Sequence, residues 1–373
     1  METYRVNSKL RENNKEYLIQ TANDANLGLV ETTIYIDGVP AESASCPHPE
    51  DIKPQEVMSL VNITHGEKKK EIEHLLQSYH TVMQGGSPEA MFHLGTAFLY
   101  KGFCHEARDL FLAATAANKE YHQAYNQLCI TEQVMGNIAR AIESGSRAVE
   151  LRPKYADYRN ALGEAYLSDD SPRKALTEFE EAIRINLYYG DAYFNLGLAK
   201  LLLLLKQGRL TNPEEELAGI TDCLYKASLI TPGYKGQAFD EGMKALKRRD
   251  LETALRALKV IREAKKEKHR QEFAGFYMKL ILFPQLSSEQ AVRDRIDFLK
   301  GEITKNPSYV DLQAELGRCY LEMSRMTWQR GVEQYRKTAE LGPTLTEIQS
   351  ALDTAERVHE TIISAVNRIS SKG

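Results

Sequence analysis

The chain of 373 residues contains few cysteines, and none of them is spaced to bind a metal. Its five cysteines are scattered, and no two form a C-x-x-C pair. No histidine lies at metal-ligand spacing from a cysteine, and the H-E-x-x-H motif is missing. We therefore predict neither a disulfide framework nor a metal site, and a reducing compartment is the simplest expectation.

Long hydrophobic runs are missing as well. The longest aliphatic run, residues 201–205, is bracketed by two lysines. It is far shorter than the roughly 20 residues of a membrane-spanning helix. The first residues, METYRVNSKLREN, have no apolar core of the kind that a signal peptide contains. We therefore expect a cytoplasmic protein that does not insert into a membrane.

Motifs for catalysis and for phosphate binding are also missing. The sequence has no G-x-x-x-x-G-K-S/T loop, no G-x-G-x-x-G and no G-x-S-x-G. The net charge is -4, so the chain as a whole is not a polycation that would attract nucleic acid or anionic lipid. A hydrophobic content of 42% with 27% charged residues is typical of a folded protein. We predict that the protein is not an enzyme and needs no cofactor.

The sequence does contain a repeat of 34 residues. Small residues mark it at Gly95, Cys129, Gly163 and Gly197, each 34 residues after the last. Two series of alanines keep the same period: Ala107, Ala141 and Ala175, and Ala114, Ala148 and Ala182. Within each period the apolar residues follow the i, i+3, i+4, i+7 rhythm of helices with one buried face. Such a period indicates one pair of helices that is copied along the chain and stacked on itself.

The best copies of the repeat are R-N-A-L-G-E-A-Y (159–166) followed by A-L-T-E-F (175–179), and Y-F-N-L-G (193–197). These segments resemble the tetratricopeptide repeat, whose signature is W-x2-L-G-x2-Y and then A-x3-F. The resemblance covers residues 88–343 and implies a mostly α fold, a right-handed superhelix of about seven helix pairs. The pairs are predicted to begin near residues 88, 122, 156, 190, 235, 269 and 310.

The resemblance also implies a domain organisation and a general role. We assign residues 87–343 to the solenoid and residues 344–373 to a capping helix and tail. Stacked repeats present a long binding surface rather than one converging active site. The resemblance therefore implies a scaffold or adaptor that binds another protein.

The first 86 residues lack the period and resemble no family that we recognise. Alternating apolar residues at Tyr4, Val6 and Leu10 predict a first strand, and E-Y-L-I-Q-T predicts a second. Leu29–Ile36 is a third, followed by the hairpin turn Asp37-Gly38. We predict a small antiparallel β-meander over residues 3–45 and a helix at about 55–83. Because so small a sheet cannot close a core alone, it must bury a face on this helix, the first repeat or another copy.

The resemblance implies a peptide-binding groove on the concave face of the first helices. Ten residues flank the packed stripe and are the predicted groove residues: Phe92, Thr96, Leu99, Gln123, Asn126, Ile130, Asn160, Glu164, Phe194 and Leu198. The lysine positions of the family's carboxylate clamp hold Phe or Asn here. We therefore expect an apolar peptide or an amphipathic helix rather than a C-terminal carboxylate. The alternative is that these residues pack against the chain's own helices.

A basic stretch spans residues 244–270, where eleven Lys or Arg face four Asp or Glu, a balance of +7. Seven of its cations form a predicted patch for an anionic partner: Lys247, Arg248, Arg249, Lys265, Lys266, Lys268 and Arg270. The rival functional hypothesis is a regulator that binds nucleic acid or an anionic surface here. The stretch has no aromatic residues for base stacking, which disfavours nucleic acid. A solvated helix face remains the plainer interpretation.

Overall fold

The computed structural model describes residues 3–12, 15–49, 51–207, 212–277, 289–305, 310–341 and 346–370. The chain forms two compact units, Met1–Asn118 and Lys119–Gly373. The first contains the four strands and the first three helices, and the described elements of the second are all helices. The division into 1–86, 87–343 and 344–373 stays a prediction.

The first unit begins with the predicted antiparallel meander, which has four strands in the order β1-β2-β3-β4. Its strands are β1 Arg5–Glu12, β2 Lys15–Asp24, β3 Leu29–Ile36 and β4 Val39–Pro47. The predicted Asp37-Gly38 turn connects β3 to β4 with φ angles of 50° and 83°. Two positive φ angles in a two-residue loop match the right-handed twist of a hairpin. Self-association of this module with another copy of the chain stays a prediction.

One face of the sheet packs on helix α1, Pro54–Gly85. Alternate residues of β2 and β3 are buried, and Val30 clusters with Val57 and Val61 of the helix. The first helix pair completes this unit, with α2 at Pro88–Tyr100 and α3 at Cys104–Ala117. The ring of Tyr17 on β2 stacks on Phe103, with the ring centroids 5.7 Å apart. The sheet therefore shares a core with both its own helix and the first pair.

The second unit continues with four further pairs joined by short connections. The pairs are α4 His122–Val134 with α5 Ile138–Leu151, α6 Ala156–Ser168 with α7 Pro172–Ile185, α8 Gly190–Gln207 with α9 Pro213–Ile230, and α10 Gln237–Lys247 with α11 Leu251–Tyr277. A short 3-10 helix, Pro232–Tyr234, precedes α10. Four first helices begin at residues 88, 122, 156 and 190, which confirms the predicted period.

The small residues of the repeat lie where the two helices of a pair cross. A Cβ added at Gly95 would lie 2.8 Å from the ring of Phe111, and one at Gly163 would lie 2.5 Å from Phe179. The pair α4–α5 reverses this order. There Cys129 takes the glycine position and Gly145 takes the phenylalanine position, and a Cβ at Gly145 would lie 2.9 Å from the cysteine sulfur. Each crossing thus combines one small and one larger residue, which lets the backbones approach closely.

The regular pairs end with α11. This helix passes through the predicted start of a sixth pair near residue 269, and α12 follows at Glu289–Lys305. The predicted seventh pair is one helix, α13 Val310–Leu341, which runs for 32 residues without a break. Helix α14, Thr346–Ser370, matches the predicted C-terminal helix. The described residues therefore contain five pairs, α2 to α11, followed by three helices. Of these three helices, α13 packs on both α12 and α14, so paired packing continues beyond the fifth pair with helix boundaries that differ from the predicted ones.

Candidate binding surface on the first helices of the second unit

Helices α4, α6 and α8 are the first members of consecutive pairs, and each contacts the next. Side chains at equivalent positions of these three helices, together with Asn195, which hydrogen-bonds to two of them, form the set that we call the inner surface. It consists of Gln123, Asn126, Ile130, Asn160, Glu164, Asp191 and Asn195. The helical period places equivalent positions of successive repeats side by side, so five of these seven residues coincide with predicted groove residues.

Two predicted groove residues, Phe194 and Leu198, are core residues instead. Their exposed fractions are 0% and 1%, and both belong to a cluster that includes Leu224 and Tyr234. The ring of Phe194 stacks on that of Tyr234, with the centroids 4.3 Å apart and the planes within 6°. The chain itself therefore covers the apolar wall that the sequence predicted for a peptide at these two positions.

The remaining predicted groove residues, Phe92, Thr96 and Leu99, lie on α2 in the first unit. All three are buried, the most exposed of them at 8%. The Phe92 ring lies 6.1 Å from that of Phe111, and the Thr96 hydroxyl donates a hydrogen bond to the Phe92 carbonyl at 2.8 Å. These side chains therefore pack within their own helix pair.

The inner surface carries a hydrogen-bonded network of amide and carboxylate groups. The side-chain amide of Asn195 donates a hydrogen bond to the side-chain Oδ1 of Asn160 at 3.0 Å and another to Oε1 of Glu164 at 2.9 Å. The Asn160 amide also donates to the same Glu164 oxygen, at 3.3 Å. The sequence analysis missed Asn195, because a period of 34 residues from Asn160 leads to its neighbour Phe194. On α4, the buried Oδ1 of Asn126 has no hydrogen-bond partner among the described residues.

Two lysines of α11 lie on this surface. The ammonium of Lys266 pairs with Glu164, and that of Lys265 pairs with Asp191. Lys265 also lies 3.2 Å from the Tyr234 hydroxyl and 4.4 Å from the centre of its ring. The Tyr234 hydroxyl donates to Asp191 at 2.7 Å. Lys266 of the predicted basic patch therefore pairs with Glu164 of the predicted groove in the same chain. This agrees with the alternative interpretation, in which the groove residues pack against the chain's own helices.

The electrostatics keep this site ionised. Burial raises the pKa of the Glu164 carboxyl, but attraction to Lys266 and Arg262 outweighs burial and holds its pKa below the ordinary value. Burial and the nearby Asp191 carboxylate raise the pKa of the Tyr234 phenol. Glu164 therefore stays charged at neutral pH, and Tyr234 stays protonated and can donate its hydrogen bond.

The seven residues of the predicted basic patch do not form one patch. Lys247, Arg248 and Arg249 are exposed at the turn before α11. Lys265 lies 14 residues into α11, which is about 21 Å along a helix at 1.5 Å per residue. Arg270 forms an ion pair with Glu267 at 2.8 Å, and Lys268 is exposed. The cations are thus split between the two ends of a long helix segment.

Two other classes of site are missing from the part of the chain that the structure describes. These residues contain no group of three or more His, Cys, Asp or Glu side chains that could hold a metal ion. Within the same residues, no helix is both long and apolar enough to cross a membrane. Burial raises the pKa of the Cys129 thiol to about 12, so this cysteine carries no reactive thiolate at neutral pH.

No family model matches the chain. Solved structures with similar folds include MamA, at 24% sequence identity over 46% of this chain and 96% of that chain, with a TM-score of 0.34. Another is TTC0263, a thermophilic tetratricopeptide repeat protein in Thermus thermophilus, at 17% identity over 63% of this chain and 100% of that one, with a TM-score of 0.34. A tetratricopeptide repeat protein from Parabacteroides merdae matches at 16% identity over 73% of this chain and 100% of that one, with a TM-score of 0.33.

These likenesses are too distant to indicate a function. The geometry of the chain itself defines the repeat: first helices of 13 residues alternate with second helices of 14 residues from α2 to α7, and the first helices start every 34 residues. This is the helix–turn–helix unit and the length of a tetratricopeptide repeat. Helices α2 to α11 therefore form a series of tetratricopeptide-like pairs.

Proposed function

We propose that this protein is a non-enzymatic scaffold that binds an amphipathic, lysine-bearing segment of another protein on the inner surface of its second unit. One observation carries the proposal: consecutive first helices align amide and carboxylate side chains in a single row. A helical segment that lies across such a row can be held by side-chain contacts from several repeats at once.

The chemistry of the row selects the partner. Glu164 and Asp191 are carboxylates, which favour a cation, and in this chain both already accept from lysine. The buried Asn126 oxygen supplies a further acceptor. A buried acceptor without a partner costs free energy, so a donor from a bound segment would be stabilised there. Ile130 on α4 is half-buried and can contact an apolar side chain of the same segment.

The experiment is a selection of random peptides displayed on phage against the full chain, followed by fluorescence polarisation with the enriched peptides. We expect the enriched peptides to carry lysine or arginine at helical spacing. Asn126→Ala should weaken their binding about tenfold, equivalent to about 1.4 kcal/mol. The matched control is Glu143→Ala, an exposed residue on the second helix of the same pair. Selection without enrichment, or equal losses in both variants, would contradict the proposal.

A further inference from the structure

Helix α11 is much longer than the other second helices. Helices α3, α5 and α7 have 14 residues each, whereas α11 has 27. Its first half performs the usual role of a second helix, since Leu255, Leu258 and Ile261 belong to or pack against the core cluster of α8 to α10. The residues beyond position 264 have no counterpart in the 14-residue second helices, and the last apolar contact, Ile261, lies three residues before that point. We call residues 262–270 the α11 extension.

The extension is attached in a different way from the rest of the helix. Its sequence, R-E-A-K-K-E-K-H-R, contains no large apolar residue. Among its described side chains, Lys265 and Lys266 reach Asp191 and Glu164. The Lys266 side chain remains 46% exposed and that of Lys265 29% exposed. Ion pairs with this much contact with water are individually weak, because water competes for both charges. The first half of α11 is therefore anchored by apolar packing, and the extension by solvent-accessible charges.

The extension also has the chemistry of a partner for the inner surface. It is helical, it carries lysines on consecutive positions, and it places their ammonium groups on the carboxylates that would select a partner. We propose that the α11 extension is an intramolecular ligand of the inner surface, and that a lysine-bearing helical segment of a partner protein binds by displacing it. The inference rests on the proposed function and adds its regulation. Competition follows from geometry, because Glu164 and Asp191 cannot hold the extension and a partner lysine in the same place.

A trans-binding experiment on the full chain tests this. The probe is a fluorescein-labelled peptide with the sequence of residues 251–270, and the readout is fluorescence polarisation. We expect the double variant Lys265→Ala/Lys266→Ala to bind the probe at least tenfold more tightly than the wild type. Adding Glu164→Gln to the double variant should remove that gain. The matched control is Lys259→Ala, an exposed lysine on the first half of the same helix, which should bind the probe as the wild type does.

Hydrogen exchange measures the release of the extension without any ligand. In the double variant, the backbone amides of residues 262–268 should exchange at least tenfold faster than in the wild type, while those of residues 254–258 keep their protection. Circular dichroism should show that both proteins are folded to the same extent. Unchanged protection of residues 262–268 would overturn the inference, because the two lysines would then not be what holds the extension.

The binding outcomes separate this inference from the proposed function. A probe that binds the wild type and the double variant equally overturns displacement and leaves the scaffold function standing. A probe that binds neither overturns both, because the freed inner surface then rejects the chemistry assigned to its partner. Light scattering covers a third outcome. If an equimolar mixture of the wild type and the double variant forms a dimer that neither protein forms alone, the occupant is α11 of a second copy, which overturns the assignment to a different protein.

Discussion

The interior of each unit is stabilised by a different kind of contact. In the second unit, α4 to α9 pack through small and large apolar residues that recur with the repeat. In the first unit, buried charges join elements that are far apart in sequence. Lys101, only 3% exposed, donates to Glu42 of β4 at 2.9 Å and also pairs with Glu71 of α1. The packing of a periodic sequence can therefore be predicted from its repeat. The packing of a unit that combines strands and helices can depend on ion pairs that no local sequence pattern predicts.

These buried charges offset one another. Burial lowers the pKa of the Lys68 ammonium, but the adjacent Glu71 and Glu42 carboxylates raise its pKa by more. Burial raises the pKa of Glu71, but Lys101 and Lys68 lower it by more. Two cations thus face two anions in one cluster. Loss of any member leaves a buried charge without compensation, which is far more costly than loss of an exposed ion pair.

The largest effect should come from the apolar core of the second unit. Phe194→Ala removes a fully buried ring that stacks on Tyr234, and we expect it to lower the free energy of unfolding by about 3–5 kcal/mol. Urea unfolding monitored by circular dichroism measures this. The control Leu187→Ala changes a side chain that is 64% exposed and should stay within about 0.5 kcal/mol. A stable Phe194→Ala protein that loses partner binding would restore Phe194 to the groove.

The second prediction tests the buried charges of the first unit. Lys101→Ala should destabilise that unit by about 3 kcal/mol or more, because Glu42 and Glu71 lose a buried cation. Hydrogen exchange of the strands and of α1 reports on this unit separately. Lys69→Ala breaks an exposed pair with Glu73 in the same helix and should cost less than about 1 kcal/mol. Equal losses in the two variants would show that the cluster stabilises the unit no more than a surface pair does.

A smaller effect is expected at the helix crossings. Gly163→Ala places a methyl group 2.5 Å from the ring of Phe179, which must shift, at a cost of about 1–3 kcal/mol. Gly219→Ala, in α9, is the matched control, since its nearest neighbour would be the mobile end of Lys200 at 3.9 Å. Because alanine stabilises a helix interior more than glycine does, the free energy of unfolding of this control should rise by up to about 1 kcal/mol. Thermal melts of both variants should therefore shift in opposite directions.

The effect that is smallest at neutral pH is a pH dependence of the second unit, which develops only as the pH falls. Burial and the nearby Arg152 cation lower the pKa of His122 to about 4. The ring Nδ1 forms a hydrogen bond with the Tyr158 hydroxyl at 2.7 Å. The folded protein therefore favours the neutral ring. Its contribution is fully present above the unfolded pKa of about 6.5 and is lost as the pH falls toward 4.

His122→Gln should flatten that part of the profile of unfolding free energy against pH. His105→Gln, which changes an exposed histidine of the first unit, should leave the profile as it is in the wild type. Urea titrations at pH 7, 6, 5 and 4 measure both variants. The same slope in wild type and His122→Gln would show that another group causes the dependence.

The sequence predicted the regular parts well for physical reasons. Strand β3 has the predicted bounds, since β-branched residues run up to the Asp37-Gly38 turn, whose residues tolerate positive φ. Four first helices start where the period places them, because each repeat buries the same small residues. The predicted start of a seventh pair near residue 310 coincides with the start of α13, but this helix continues to Leu341 without the predicted turn. Gly317 and Gly331 have open space around them and mark no crossing.

The site was harder to predict because its partners are remote in sequence. The resemblance to the tetratricopeptide repeat placed Asn126, Asn160 and Glu164 on one surface. It assigned Phe194 to the same surface, but the connection between α9 and α10 carries Tyr234 onto that ring. Lys265 meets Asp191 across 74 residues and Lys266 meets Glu164 across 102 residues. These pairings join a second helix to first helices of earlier repeats, and no pattern within either segment announces them.

By itself, the sequence determined the antiparallel meander and the paired helices. These features follow from local alternation and from a fixed period, which act between neighbours. Only the tertiary structure decided that the inner surface is partly occupied by the chain's own α11, and that buried charges tie the sheet to the first helix pair. Ion pairs between distant segments depend on where each segment ends in space. The residue pattern within one segment does not predict where the other segment lies in space.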